Sequence, residues 1–381
     1  MKKLSEILQS NPRIVLGLFL ILVAGAFYPA LQIKTDFNLE NFFPEDDPTI
    51  DDYEKLEREF GRDDNTIMVG FKDDSLFSEK VLSDLQAITD SLEKVKNVQK
   101  VRSLWSATQI TTRGNRLNFD PYLENLSLDW KNLKDIQEEL TKDPFTESFL
   151  VNKAGNVTAF YIEIAKGKNN FSVREDIIDE LQRILDPYKK RYEFKISGIP
   201  HYRNQYVHYL NDEILFYITL SSVLIIILLW GLYRSIPGIV IPMIVVWFTI
   251  LFALAVMQLT GGYFEVMTST IAPILLCVGI ADSIHMISKY DDARVQGLNK
   301  KNAITEMLQT LGSATFLTSI TTAIGFGTLI TSNIVPMKRF GIYTAVGVMI
   351  AYLVTIFLLP SSLKITNINK VFSDKSDRVF E

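Results

Sequence analysis

The sequence has one cysteine, Cys277, and it lies inside an apolar run. An intrachain disulfide is therefore excluded. Any folded polar part must be held by its own hydrophobic core, and the lone thiol reads as a small hydrophobe. Histidines are scarce too: His201, His208 and His285. No HExxH pair, no Walker A loop and no Ser/Cys-His-Asp arrangement occurs. The expectation is a protein that is not an enzyme, with no cofactor and no metal. His201 and His208 lie two helical turns apart and read as polar side chains on an approach helix rather than as ligands. The formal net charge is only −5. No basic stripe is interleaved with aromatics, which argues against a nucleic-acid partner.

What is abundant is apolar sequence in long blocks. Hydrophobic residues make up 48% of the 381, beside 22% charged, and the two classes are segregated. Six runs are long enough to cross a hydrocarbon core of about 30 Å: Ile14–Ile33, Ile214–Tyr233, Ile236–Leu259, Val266–Ser288, Leu311–Thr331 and Phe340–Leu363. Pro29, Pro242, Pro273 and Pro360 fall within them, which membrane helices tolerate because neighbouring groups satisfy the freed carbonyls. Ala24-Gly25-Ala26 resembles a signal-peptide cleavage site. The apolar run continues past it to Ile33, so the segment reads as a retained span.

Basic residues decide the orientation. Lys2, Lys3, Arg13, Arg234, Lys289, Arg294, Lys300, Lys301, Lys364, Lys370, Lys375 and Arg378 fall on one side if both termini are cytoplasmic. Lys338 and Arg339 dissent. The expected organisation is 1–33, cytoplasmic N-terminus and first span; 34–213, an extracytoplasmic domain; 214–363, a five-helix bundle; and 364–381, a cytoplasmic tail. The setting is the inner membrane of a bacterium.

Within 34–213 the periodicities predict strands at Asn65–Phe71, Val98–Trp105, Val157–Ile164 and Tyr192–Ser197. They predict helices at Ser78–Val95, Trp130–Leu140 and Asp176–Tyr188. Phe149–Val151 and Val157–Ile164 flank a turn at Asn152–Asn156. The stretch from Trp105 to about Leu128 reads as polar and irregular. Without that insertion the order is strand-helix-strand twice, the split βαβ, ferredoxin-like α+β plan. The acidic run Glu45-Asp46-Asp47 with Asp51-Asp52 reads as a solvated face and helix start.

The fourth run is the informative one. It carries Asp282 near its middle and His285 three residues on, on the same helix face. A carboxyl in a membrane span costs about 2.5–3.5 kcal/mol on insertion scales and reads as part of an ion or proton pathway. Burial disfavours its charged form, so such a group alternates between neutral and ionised as water or a cation reaches it. Asp282 is the candidate proton-coupling residue and His285 a candidate relay. Ser283 and, on the fifth run, Thr315, Thr318, Ser319, Thr321 and Thr322 are candidate partners, with Thr318 and Thr322 on one face. Gly279, Gly325 and Gly327 are candidate helix-packing positions. The link from Lys289 to Thr310 sets Ala303, Ile304, Met307 and Leu308 against Lys300, Lys301 and Asn302, and reads as a helix lying on the membrane surface.

One span, a large polar domain and five further spans resemble one half of an RND superfamily permease. Gly279-Ile280-Ala281-Asp282 is similar to the Gly-x-x-Asp signature of the MMPL and Patched-like, sterol-sensing-domain-like branch. Gly198-Ile199-Pro200, Pro336-Met337-Lys338-Arg339-Phe340-Gly341 and Leu358-Leu359-Pro360 also look like that branch. The resemblance implies a porter-type extracytoplasmic domain and an exporter driven by the proton-motive force. Its substrates would be hydrophobic or lipid-like and enter from the membrane or its outer leaflet, with membrane lipids as partners and protons as the coupling ion. One charge crossing the full field gains about 2.3 kcal/mol per 100 mV. Members usually carry two such halves, so the resemblance also implies pairing with a second half, as a homodimer or otherwise, or membership of a longer protein. The alternatives are a non-transporting sterol-sensing-like protein and a SecD/SecF-like accessory of protein export.

Overall fold

The computed structural model describes residues 1–35, 42–44, 47–60, 63–113, 116–123, 130–143, 146–147, 149–168 and 170–366. Glu45 and Asp46 of the acidic run, and Lys370, Lys375 and Arg378 of the tail, lie outside them. The chain divides into two compact units: 51–206, and 1–50 together with 207–381.

In the first of these, β1 (Thr66–Lys72), α4 (Glu79–Leu92) and β2 (Val98–Arg102) are followed by α5 (Trp130–Lys142). Then come β5 (Val157–Ile164), α6 (Phe171–Leu185) and β6 (Lys195–Ser197). The four strands form one sheet in the order β2-β5-β1-β6, and every neighbouring pair is antiparallel. β1 and β5 bury alternate residues, so Ile67, Val69, Phe71, Phe160, Ile162 and Ile164 face the helices. Those helices answer with Val81, Leu85, Ile88, Ile177, Ile178 and Leu181, all buried. Ser78 and Asn170 cap α4 and α6, each side chain accepting from the backbone N–H three residues on. At Leu140 and Leu133, α5 joins the same core.

Two differences from the sequence reading stand out. The stretch read as irregular contains an antiparallel hairpin, β3 (Thr108–Arg113) and β4 (Arg116–Pro121). It leaves Leu117 and Phe119 exposed, so the apolar positions of β4 do not mark a buried face, and an isolated two-stranded ribbon is a weak signal to read. The last strand is shorter, Lys195–Ser197: it starts three residues later than read and ends, as read, at Ser197, where Gly198 follows at φ +110°. A Cβ there would lie 2.4 Å from the Thr66 carbonyl oxygen, so only glycine fits between β1 and the helix that starts at Ile199.

The second unit is helical. Six helices are long and apolar enough to cross a membrane: α2 (Pro12–Leu31), α7 (Ile199–Tyr233), α8 (Ile236–Leu259), α9 (Ile271–Val295, after a short turn at Thr268–Thr270), α10 (Lys300–Gly327) and α11 (Val335–Ile365). About half of the most apolar part of α8, α9 and α11 is buried (44%, 50% and 56%), against 17%, 17% and 11% for α2, α7 and α10. The first three are therefore the centre of the bundle and the others its flanks. Close passage is set by small residues: a Cβ on Gly347 of α11 would lie 2.8 Å from Leu275 of α9.

The link expected on the membrane surface is instead part of this unit. α9 runs on to Val295, Gly297 turns the chain at φ +88°, and Asn299 caps α10. Ala303, Ile304, Met307 and Leu308 have no exposure at all. Their apolar face packs on protein, not lipid, and the same periodicity serves both. Part of the cover is α1 (Lys2–Ser10), a helix not anticipated. Its Ser5 Oγ lies 2.9 Å from Thr305 Oγ1, and Gln9 Nε2 donates to both, at 2.7 and 3.0 Å.

Candidate functional site in the helix bundle

Asp282 sits midway along α9. Its Oδ2 is buried and accepts no hydrogen bond among the described residues. An acceptor left this way costs about 1–3 kcal/mol, so the position is one that folding alone does not favour. Its neighbour Ser283 is fully buried and donates to the Gly279 carbonyl at 2.8 Å, which ties it to its own helix. At Gly279 α9 approaches α8: a Cβ there would lie 3.1 Å from Val246.

The other side of α9 is open. Cys277, Ala281 and His285 are exposed and recur every four residues, forming one stripe. Asp282 lies at the margin between this stripe and the buried face of Gly279, Ser283 and Met286. His285 is thus on the open side, one turn from the carboxyl.

The candidate partners on α10 make no hydrogen bond to Asp282 among the described residues. Thr318 is exposed and donates to the Thr315 carbonyl at 2.9 Å; Thr322 donates to the Thr318 carbonyl at 2.8 Å. The inward face of α10 is Gly312, Thr315 and Ser319, with the Ser319 hydroxyl buried and without a partner among the described residues. Its outward face presents Ser313, Ala314, Thr318, Thr321 and Gly325, all exposed. Cβ atoms on Gly325 or Gly327 would meet nothing within 4 Å, so neither glycine packs against a helix among the described residues. Small and hydroxyl side chains on the outside of a membrane helix are the composition of a helix–helix contact.

Two carboxylates were missed. Glu265, in the segment between α8 and α9, is 3% exposed. Its Oε1 lies 3.8 Å from Nη1 of Arg339, whose guanidinium stacks 4.4 Å above the Tyr263 ring. Thr260 and Tyr343 hydrogen-bond beside them at 3.0 Å, and a Cβ on Gly262 would fall 2.6 Å from the Tyr343 hydroxyl. The signal was available: Arg339 breaks the charge rule, and a paired arginine does not count as a free charge. Asp291, 3% exposed, is the second. It lies beyond the apolar run as read but still within α9. Nine residues from Asp282 is two and a half turns, so the two carboxyls face opposite ways.

The six apolar helices and the carboxyl in the fourth define a polytopic membrane protein. The chain belongs to the MMPL family, whose model matches residues 41–377, as the Gly279–Asp282 motif implied. It is 24% identical over 372 residues to a Methanocaldococcus jannaschii protein named only as a membrane protein, covering 96% of this chain and 93% of that one. It is 22% identical to a Bacillus anthracis protein named apo-petrobactin exporter, over 63% of this chain and 36% of the relative. A Bacillus subtilis protein named as a membrane protein is 23% identical over 80% of this chain and 30% of its own length. The chain thus spans nearly the whole archaeal relative and about a third of each Bacillus one.

Proposed function

We propose that this chain is a six-helix half of an RND-type exporter of hydrophobic or lipid-like molecules, driven by the proton-motive force. The observation that carries the reading is Asp282: a carboxyl inside the bundle, with a buried oxygen that has no partner among the described residues, beside an open stripe ending in His285. A carboxyl without fixed partners can trade a proton for a new contact, and the change of charge biases a two-state rearrangement of the helices around it. His285 passes the proton along the open side. The printed name of the Bacillus anthracis relative supports export as the direction.

The open faces of α9 and α10 receive a second six-helix half, a second copy of this chain or its equivalent. Residues 34–213 serve as the porter domain. Their sheet order β2-β5-β1-β6 with helices after β1 and β5 supports a ferredoxin-like plan. The membrane is the bacterial inner membrane with both termini cytoplasmic, which the distribution of basic residues supports, and the chain acts without catalytic chemistry.

The test is Asp282→Asn in the full chain, reconstituted in vesicles with a lipophilic dye as cargo and an imposed pH gradient. The variant inserts normally and loses gradient-dependent dye movement. Wild-type dye movement in the variant overturns the reading.

A further inference from the structure

Hydroxyls inside the bundle are commonly tied to their own helix. Thr249 donates to the Val245 carbonyl, Ser283 to Gly279, Thr322 to Thr318 and Ser361 to Phe357, each four residues back. Thr355 of α11 departs from this. It has no exposure, and its Oγ1 has no hydrogen-bond partner among the described residues, although the Ala351 carbonyl stands four residues back. A buried hydroxyl in that position calls for a partner elsewhere.

The packing of α9 on α11 points to one. The two helices run side by side in the same direction: Tyr343 of α11 meets Thr260 ahead of α9, and Lys300, just beyond α9, donates to the Thr366 carbonyl. Leu275 of α9 is the side chain against Gly347 of α11. Asp282 is seven residues past Leu275, two turns, so it projects from the same side of α9, towards α11. Thr355 is eight residues past Gly347, so the two stand level. At 3.6 residues per turn, Thr355 points about 80° from Gly347 and about 60° from Tyr352, and Tyr352 reaches α10 at the Gly312 carbonyl. Its hydroxyl therefore lies in the seam of α9, α10 and α11, at the height of Asp282, whose Oδ2 also has no partner among the described residues. Ser319 and Thr344 have free buried hydroxyls too but stand at other heights. Ser319 is three residues past Phe316, which meets Tyr352, so on the antiparallel α10 it is about 9 Å from Thr355 along the bundle; Thr344 is about 16 Å away.

We propose that Thr355 is a positioning residue for the proton site: its hydroxyl donates to the Asp282 carboxylate, directly or through one water, when that carboxyl is ionised, and turns back to the Ala351 carbonyl when Asp282 holds a proton. The assignment rests on Asp282 being the proton-carrying group, as proposed above. A threonine in a helix uses two side-chain rotamers because its hydroxyl can bond its own helix, so the exchange needs rotation about one bond. Each state of Asp282 then has its own contact between α9 and α11, through which a proton biases the packing of the two helices. The other titratable side chains near this height are Cys277 and His285 on α9 and Tyr352 on α11; α8 carries none, and those of α10 are at its start, Lys300, Lys301 and Glu306.

The experiment takes infrared difference spectra of the reconstituted full chain between acid and alkaline buffer, with Asp282→Asn identifying the Asp282 carboxylate band, and follows dye transport in the same vesicles. Thr355 Oγ1 bonds nothing among the described residues, so Thr355→Val removes no hydrogen bond from the fold. It shifts the Asp282 band and slows gradient-driven dye movement about tenfold, the worth of one hydrogen bond to a charged group. Thr355→Ser keeps both at wild type. Thr344→Val, three turns away on the same buried face, changes neither. An unshifted band in Thr355→Val overturns the pairing. An equal shift in Thr344→Val also overturns it, because a general loosening of the bundle would then be responsible. Export fails separately: if Asp282→Asn moves dye normally while Thr355→Val alone shifts the band, the pairing stands and the transport reading falls.

Discussion

Arg339, at the start of α11, reaches back to Glu265, placing Nη1 3.8 Å from Oε1 while its guanidinium covers Tyr263. The pair joins the segment before α9 to α11, the two most buried helices of the bundle. Glu265 is almost wholly enclosed, whereas the Arg339 side chain is about a third exposed (4% and 32%). Removing Arg339 takes a cation away from an enclosed carboxylate. Arg339→Ala is expected to destabilise the bundle by about 2–4 kcal/mol, somewhat below the loss for a fully buried pair. Glu265→Gln should cost less, since the amide still accepts from the guanidinium. Thermal unfolding of the three proteins in one detergent checks the order; an Arg339→Ala protein as stable as wild type contradicts it.

The chain carries its own probe of the open face. Cys277 is its only thiol and is exposed on the α9 stripe. If two copies meet across this face, a short bifunctional maleimide joins Cys277 to Cys277 and moves the 43.4 kDa chain to twice that mass. Cys277→Ser abolishes the product. A reactive but uncrosslinked Cys277 in membranes would show that the face does not meet its own copy.

Alkaline pH should act on the polar domain through Tyr192. Its hydroxyl donates to Asp84 Oδ2 at 2.6 Å, and Arg191 approaches the same oxygen at 3.3 Å. Burial first, then the hydrogen bond and charge of Asp84, raise the tyrosine well above its usual pKa of about 10. A group raised on folding lends its stability in full below the unfolded value and loses it as pH climbs through the folded one. The domain should therefore be unaffected by this group up to about pH 10 and weaken above it. Tyr192→Phe removes that part of the alkaline loss. Tyrosinate absorbance followed beside circular dichroism makes the comparison; identical alkaline profiles in the two proteins would rule Tyr192 out.

Gly198→Ala tests the junction after β6. The new methyl would enter at 2.4 Å from the Thr66 carbonyl on a backbone at φ +110°. Strain of this kind costs about 1–3 kcal/mol, and relief requires β6 to part from β1. Faster hydrogen exchange at Met68 and Gly70, which pair with β6, is the expected sign. Gly167→Ala, also at positive φ but with open space around it, should disturb the domain less.

Much of this was legible in the residues, for reasons that differ by element. Long apolar runs announce helices whatever their surroundings, and α8 begins and ends where its run does, at Ile236 and Leu259. Alternation found β5 to the residue, because one face of Val157–Ile164 is buried. Periodicity could not say what an apolar face rests on, so Ala303–Leu308 was assigned to lipid and is packed on protein. Nor could it fix the rotation of α10. Thr318 and Thr322 share a face, but Thr315 and Ser319 share one too, and only packing against α9 and α11 selects the second as inward. Asp291 escaped notice because the run was cut at Ser288, where polar residues begin, although the helix does not stop there.

The knot of Ser5, Gln9 and Thr305 sets an order of events during synthesis. Its two sides are 300 residues apart in the chain. At about 5–20 residues per second, roughly 15–60 s pass between making one side and making the other. Throughout that interval α1 lacks the surface that buries Leu8, and its apolar side has only lipid or a chaperone to rest on. The docking of α1 is thus a late step of assembly, begun only once the start of α10 has been made and completed with α11, which α1 also contacts.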